Sequence, residues 1–136
     1  MNETLDNETR QQIVNYRCES AHSTLDDAVY LFNDGRLNGA ANRLYYACYY
    51  VVEALLISDG IQASTHQGVK SMFGAHYVVK GKIDVRWSKY FSAVLNLRKT
   101  ADYDFFVKYE RQELEPLINE ASDFISTVEQ LINKHT

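Results

Sequence analysis

Apolar residues recur at spacings of three and four over most of this chain, and this pattern restricts the folds that it can adopt. The clearest example lies near the C-terminus, where seven apolar residues share one helical face: Leu117, Ala121, Phe124, Ile125, Val128, Leu131 and Ile132. This spacing matches the helical turn, and no stretch shows the sustained two-residue alternation of a half-buried strand. The sequence therefore predicts an all-α fold.

Two long helices open the predicted fold. The first apolar stripe belongs to a helix that begins near Thr9 and stops before Asp34, and the second runs from Ala40 to about Ser58. A very short connection between two helices favours antiparallel packing. Small residues such as Ala47 also let the two backbones approach closely. We therefore expect a long α-hairpin.

Three further helices are predicted after the hairpin. Ser64 or Thr65 is suited to N-cap a short third helix that reaches Tyr77. A fourth helix carries the stripe that starts at Trp87, ends between residues 98 and 101, and precedes a polar and aromatic connection over 102–109. The fifth helix should start between residues 111 and 115, because proline fits best in a first turn and residue 116 is proline. Four long helices and one short one then form an up-and-down bundle.

Length and composition indicate one domain over residues 1–136, with a core that spans about 10–134. Hydrophobic residues make up 46% of the chain and charged residues 24%, which is enough apolar surface to fill a core. No apolar run approaches the roughly 18–20 residues that cross a bilayer, and the polar N-terminus does not resemble a signal peptide. We expect a cytoplasmic protein with no membrane partner.

Several kinds of chemistry are disfavoured by the sequence. The net charge of -4 argues against broad electrostatic binding of nucleic acid, although a small local basic pocket stays open. The four histidines form no paired metal-ligand motif, and neither a P-loop nor a glycine-flanked serine is present. Cys18 and Cys48 lie in apolar helical patterns and are expected to be reduced core residues. We expect no metal and no cofactor.

Polar clusters stand out at four places: Arg43 with Tyr45 and Tyr46, residues 64–68, residues 80–84, and residues 98–103. Three of them sit at predicted helix ends, where polar residues serve either as sites or as ordinary caps and charges. Arg43 could hold a phosphate with its planar fork of donors, or it could pair with Asp102 or Asp104. Likewise, Arg98 could simply complement the dipole of the fourth helix.

The order of these motifs resembles the HEPN family (higher eukaryotes and prokaryotes nucleotide-binding), from about residue 10 to 134. The resemblance rests on four segments: 42–50 (NRLYYACYY), 54–56 (ALL), 65–69 (THQGV) and 98–104 (RKTADYD). It implies a bundle of long antiparallel helices with a short extra one. It also implies an RNA-cleaving toxin that pairs with a small nucleotidyltransferase antitoxin and works as a face-to-face dimer.

The catalytic signature of that family is only half present. It consists of an arginine followed after four to six residues by a histidine, and Arg98 supplies the arginine. The histidine positions are occupied by Tyr103, Asp104 and Phe105, none of which provides an imidazole that titrates near neutral pH. Tyr103 could orient a phosphate or act as an acid, and His66 could supply the missing imidazole if the fold brings it to Arg98 or Arg43. In some family toxins the partner nucleotidylates a tyrosine. The resemblance places Phe105, which has no hydroxyl, at that position, and Tyr103 could replace it.

The resulting hypothesis assigns catalytic roles to Arg98, Tyr103 and His66, and binding roles to three further residues: Arg43, Tyr46 and Asp102. Its substrate is RNA or a nucleotide. One alternative is a non-catalytic module that holds a nucleotide or the partner protein, and another is a structural bundle with no site. The homodimer would use a tyrosine-rich patch such as Tyr45, Tyr49 and Tyr50, unless these rings are buried in the core.

Overall fold

Five α-helices and one π-helical turn build the described part of the chain. In this computed structural model the described residues are 6–103 and 108–133, and the side chains of 98–103 and 133 lie outside that description. The helices are α1 Asn7–Asn33, α2 Leu37–Ser58, α3 His66–Phe73, α4 Val85–Tyr103 and α5 Arg111–Asn133, with the π-helical turn at Gly74–Val78. These residues contain no strand, and the expected all-α bundle is confirmed.

The α1–α2 hairpin forms as expected. Asp6 caps α1 by accepting a hydrogen bond from the Thr9 amide at 2.7 Å. At the other end Gly35 adopts a φ of +77°, which is strained for any residue with a Cβ atom, and its amide donates to the Phe32 carbonyl. This left-handed residue reverses the chain within three residues and sends α2 back along α1.

Small residues line the seam between the two hairpin helices. Five alanines spaced by seven on each helix are completely buried: Ala21 and Ala28 on α1, and Ala40, Ala47 and Ala54 on α2. A seven-residue spacing keeps a side chain on one helical face, and alanine adds little bulk to that face. The two backbones can therefore approach closely, and α2 becomes the buried centre of the bundle.

The chain then turns back along α2 before α3 begins. Gly60 has a φ of +71° and ends α2, and Thr65 provides the side-chain cap of α3, as the sequence predicts. The third helix changes to π-helical geometry at Gly74. Its end is attached to the C-terminus of α2 by a hydrogen bond from the Tyr77 hydroxyl to the Asp59 carboxylate.

Helices α4 and α5 run antiparallel to each other. Arg86 pairs with Glu120 at 2.6 Å near the start of α4, and the Tyr109 hydroxyl donates to the Leu97 carbonyl near its end. The core between them is aromatic, with contacts among Phe73, Trp87, Tyr90, Phe91 and Phe124. Within the described residues no helix is both long and apolar enough to cross a bilayer.

One helix boundary and the position of one proline differ from the sequence-based expectation. Helix α4 continues through Tyr103, so Asp102 and Tyr103 are helical and not part of the predicted connection. Helix α5 starts at Arg111 as expected, but this puts Pro116 at its sixth residue, in the second turn. Proline is tolerated there because it lies on the exposed side of the helix, where water can hydrate the carbonyl that loses its amide partner.

Candidate functional site

His66 occupies the first position of α3, and the local sequence explains how it is held there. The Thr65 hydroxyl accepts a hydrogen bond from the Gly68 amide at 2.9 Å, which is the expected N-cap. Gly68 allows this contact, because a Cβ atom at that position would lie 3.0 Å from the Thr65 hydroxyl oxygen. Thr65 therefore supplies the cap of α3, whereas the His66 side chain is half-buried against α2.

The His66 ring is fixed by tyrosines of α2. Its Nδ1 atom shares a hydrogen bond with the Tyr45 hydroxyl, and its ring centroid lies 4.6 Å from that of Tyr49. Tyr45 and Tyr49 stack on each other at 5.8 Å with an interplanar angle of 11°. Both tyrosines are buried within the single chain and belong to its core. They therefore cannot form the expected dimer patch unless the chain rearranges.

The tyrosine beside His66 stays protonated over the physiological range. Burial raises the pKa of Tyr49 to about 12, and the nearby Glu53 carboxylate acts in the same direction. Burial also raises the pKa of Glu53, against the opposing effect of Arg17, whose Nε lies 3.6 Å from the carboxylate. The phenol can therefore donate a hydrogen bond or a proton, but it is a poor base.

Arg43 and Tyr46 form a second part of the candidate site on the half-buried rim of α2. The Arg43 guanidinium lies 5.2 Å from the centroid of the Tyr46 ring, and its Nε and Nη2 donate to the Asn42 side-chain oxygen at 3.1 and 2.7 Å. The Tyr46 ring in turn meets Tyr45 edge-on at 4.9 Å. Aromatic contacts thus connect Arg43 to the tyrosine that holds His66.

The remaining candidates belong to the end of α4. Arg98, Asp102 and Tyr103 lie in its last turns, and their side chains fall outside the described part of the structure, as do Asp104 and Phe105 entirely. The helix end itself is fixed by Tyr109, whose hydroxyl donates to the Leu97 carbonyl and whose amide donates to the Asn38 side chain at 3.3 Å. The residue before Arg98 therefore lies close to the first turn of α2, the helix that carries Arg43.

A cleft of about 680 Å³ was not anticipated from the sequence. It lies between the start of α1 and the loop that follows α2, and its lining includes Arg10, Glu53, Gln62 and Ser64 above an apolar floor. The Arg10 guanidinium closes one side by donating to the Ile57 carbonyl at 2.8 Å. The polar loop after Gly60 is the one part of this cleft that the sequence indicates. Arg10 and Glu53 are 43 positions apart in the chain, so no local pattern shows that they meet.

Metal and thiol chemistry find no support in the described residues. These residues hold no group of three histidine, cysteine, aspartate or glutamate side chains that could bind a metal ion. Burial raises the pKa of the Cys18 thiol to about 11 and that of Cys48 to about 12, so both remain protonated. Because the thiolate is the reactive form, both thiols should react slowly at neutral pH; both are free, with Cys48 in the core and Cys18 half-buried against it.

Comparison with known proteins gives the family of this chain. The sequence matches the HEPN domain over residues 14–131. The chain belongs to the HEPN family. Among HEPN relatives, a Thermotoga maritima protein named "UPF0332 protein" is 36% identical over 123 residues, covering 90% of this chain and 93% of the relative. The resemblance that the sequence motifs indicate is thereby confirmed.

Two other relatives of this HEPN chain carry a functional name. Both come from Methanocaldococcus jannaschii. "Putative toxin MJ0142" is 32% identical over 118 residues, covering 86% of this chain and 80% of that protein. "Putative toxin MJ0605" is 31% identical over 116 residues, covering 85% and 86%, respectively. The chain is thus a HEPN protein similar over most of its length to proteins named as toxins.

Proposed function

We propose that this HEPN protein is the toxin component of a two-component pair and that it cleaves RNA without a metal ion. Its partner is a nucleotidyltransferase antitoxin, and it acts as a homodimer. The names of the two archaeal relatives support the toxin role. The family resemblance supports the partner, the dimer and the RNA substrate.

The observation that carries the proposal is the way in which His66 is held. A general base needs a fixed ring orientation, and a second side chain usually provides it by hydrogen bonding to the nitrogen that does not react. The Tyr45 hydroxyl bonds to His66 Nδ1, and the Tyr49 ring packs beside the imidazole. An imidazole held in this way, at the first position of α3, fits the role of the histidine that is missing after Arg98.

The chemical roles follow from the needs of RNA cleavage. His66 takes the proton of the ribose 2′-hydroxyl, whose oxygen then attacks the adjacent phosphorus and expels the 5′-oxygen. Arg98 and Arg43 bind the phosphate oxygens, because a guanidinium offers several donors in one plane. Tyr103 gives its proton to the leaving oxygen, while Tyr46 and Asp102 position Arg43 and the phosphate.

The experiment that tests this proposal is RNA cleavage by the purified protein in the presence of EDTA. His66→Ala and Arg98→Ala should each lower kcat by about 100-fold or more, the range that a general base contributes. Matched controls are His22→Ala and Arg86→Ala, which change a histidine in an exposed ion pair and another arginine of α4. Both controls should cleave RNA as fast as the unchanged protein.

The absence of a histidine four to six residues after Arg98 favours a second candidate function. Because Tyr103, Asp104 and Phe105 replace it, a HEPN module that binds its nucleotidyltransferase without cleaving RNA is the alternative. It predicts no cleavage by folded protein, but stable co-purification with the nucleotidyltransferase and loss of that complex in Arg98→Ala. Cleavage that survives both His66→Ala and Arg98→Ala would contradict the proposed catalytic site.

A further inference from the structure

Positive charge is distributed very unevenly along this acidic chain. Residues 60–101 contain seven of the 14 lysines and arginines but one of the 18 acidic residues, Asp84. The rest of the chain therefore has seven basic residues against 17 acidic ones. At physiological ionic strength charges are screened beyond about 8–10 Å, so an anion near this segment experiences its local charge and not the net charge of the molecule.

The structure exposes three lysines of this segment around the start of α4. Lys80 and Lys82 flank Gly81 in the turn after the π-helix, where the φ of +72° at Gly81 reverses the chain. The Gly81 and Lys82 amides donate to the carbonyls of Val78 and Tyr77, so the turn has a defined shape. Lys89 follows in the second turn of α4 and is also exposed. We call Lys80, Lys82 and Lys89 the lysine face.

Among the described residues, these lysines differ from the arginines by having no acidic partner. Each arginine whose side chain the structure describes donates a hydrogen bond to a carboxylate, an amide or a backbone carbonyl, except Arg17, whose Nε lies 3.6 Å from the Glu53 carboxylate. By contrast, no carboxylate of the described residues lies within ion-pair distance of Lys80, Lys82 or Lys89. Asp84, the acid nearest in sequence, instead accepts a hydrogen bond from the Arg86 amide.

We propose that the lysine face binds the phosphate backbone of single-stranded RNA outside the candidate catalytic site. The proposal rests on the proposed function for its substrate. Exposed ammonium groups in an otherwise acidic molecule attract a polyanion to one surface and repel it from the others, and the Lys82 ammonium also lies 6.0 Å from the centroid of the Tyr77 ring. Their contacts fix the position of the strand without reading its sequence.

The composition of the lysine face favours RNA over the partner protein. Lysine is depleted in the buried parts of protein–protein interfaces, where arginine and aromatic residues are enriched. Phosphate contacts, in contrast, need only a mobile positive charge. Two exposed valines, Val79 and Val85, lie next to the lysine face in sequence, and Val79→Ser tests whether this apolar surface contributes.

The spacing along α4 sets how much RNA would reach both places. Lys89 and Arg98 are nine residues apart in one helix, which corresponds to about 14 Å along its axis and half a turn around it. A strand that contacts both residues must therefore pass around the helix. Substrates too short to reach the lysine face would bind more weakly.

The test uses the double variant Lys80→Gln/Lys82→Gln in the full-length protein. Binding is measured by fluorescence anisotropy with an end-labelled, unstructured single-stranded RNA, in EDTA and from about 50 to 200 mM NaCl. The His66→Ala background keeps the RNA intact. Two lost phosphate contacts should weaken binding by about 25-fold at 0.1 M salt and reduce the slope of log K against log salt by about 1.4, at roughly 0.7 per contact.

Charge-preserving substitution provides the matched control. Lys80→Arg/Lys82→Arg should bind RNA as the unchanged protein does, and Val79→Ser should leave RNA binding unchanged as well. In the cleavage assay the glutamine variant should raise KM and leave kcat unaltered. RNA binding and RNA cleavage are measured separately. An absence of cleavage would therefore contradict the proposed function but not the binding of RNA to the lysine face.

Two results would overturn the lysine face as an RNA surface. One is unchanged affinity and salt slope in the glutamine variant when circular dichroism shows it to be folded. The other is unchanged RNA binding together with loss of the co-expressed nucleotidyltransferase, which would assign this surface to a protein partner.

Discussion

The tyrosines of this protein combine core packing with specific hydrogen bonds. Three buried tyrosines each reach a polar atom of another element: Tyr77 donates to Asp59, Tyr90 to the Leu117 carbonyl and Tyr109 to the Leu97 carbonyl. A buried hydroxyl without a partner would be destabilising, so these bonds fix where each ring can pack. The bond between Tyr45 and His66 follows the same pattern at the candidate site.

A buried thiol makes the stability of the protein depend on alkaline pH. Burial disfavours the thiolate and raises the pKa of Cys48 from 9.0, the ordinary value of a thiol, to about 12. This stabilisation is fully present below pH 9 and is lost as the pH rises from 9 to 12, since only the unfolded chain ionises there. Between pH 8 and pH 10 we expect Cys48 to account for a loss of about 1 kcal/mol in the free energy of unfolding.

Urea denaturation of the unchanged protein and Cys48→Ala at the two pH values measures this effect. The packing change made by the alanine is common to both pH values and cancels in the difference. The variant should therefore lose less stability between pH 8 and pH 10 than the unchanged protein. An identical pH dependence in the two proteins would mean that the Cys48 thiol does not couple to folding.

Helix α3 depends on its surroundings more than the long helices do. It has eight residues, and a helix of that length is marginal in water because nucleation is costly. Its apolar side packs Val69 and Phe73 into the core, while its N-terminus depends on Thr65. Since His66 is the first residue of this helix, fraying at the cap would release the candidate imidazole from Tyr45.

Removal of the cap should affect stability and activity together. We expect Thr65→Ala to lower the free energy of unfolding by about 1 kcal/mol, the usual cost of losing a side-chain N-cap. RNA cleavage should also decrease, because His66 becomes more mobile. Thr65→Ser retains the hydroxyl and should keep both properties. If Thr65→Ala loses stability but still cleaves RNA at the full rate, the cap does not control the position of His66.

At the scale of the whole molecule, α2 is the element around which the others pack. Contacts with α1, α3, α4 and α5 surround it, and its alanine side faces α1. Arg43 and Tyr46 lie on the same helix and are half-buried. The candidate site is therefore built on the most firmly held helix of the bundle, which favours precise positioning of its side chains.

The five completely buried alanines of α1 and α2 should tolerate no larger side chain. Ala47→Leu puts a bulky side chain where Ala47 is completely buried, and overpacking of this kind costs about 1–3 kcal/mol. The change should also move α1 away from α2 and so disturb Arg17 near Glu53. Thermal unfolding followed by circular dichroism measures the loss. Ala75→Leu, at an exposed position, should leave the midpoint within a few degrees; equal effects of both substitutions would contradict a tight seam.

The sequence predicted the elements of this fold because they depend on local signals. Apolar stripes and the Thr65 cap each act within a turn or two, and these features appear as expected. The end of α4 was predicted too early, since its last turns have a polar and aromatic composition that does not continue the stripe. The change to π-helical geometry at Gly74 has no sequence signal that we recognise.

What the sequence by itself determined is the family, the helical class and the candidate residues, because motifs and periodicity are written along the chain. Only the tertiary structure decided which of those residues meet. It brought His66 to Tyr45, buried Tyr49 beside Glu53 and formed a cleft from Arg10 and Glu53. It also left the lysines near the start of α4 without acidic partners among the described residues. Such contacts join residues far apart in sequence, and they follow from how the helices pack against α2, which no local pattern specifies.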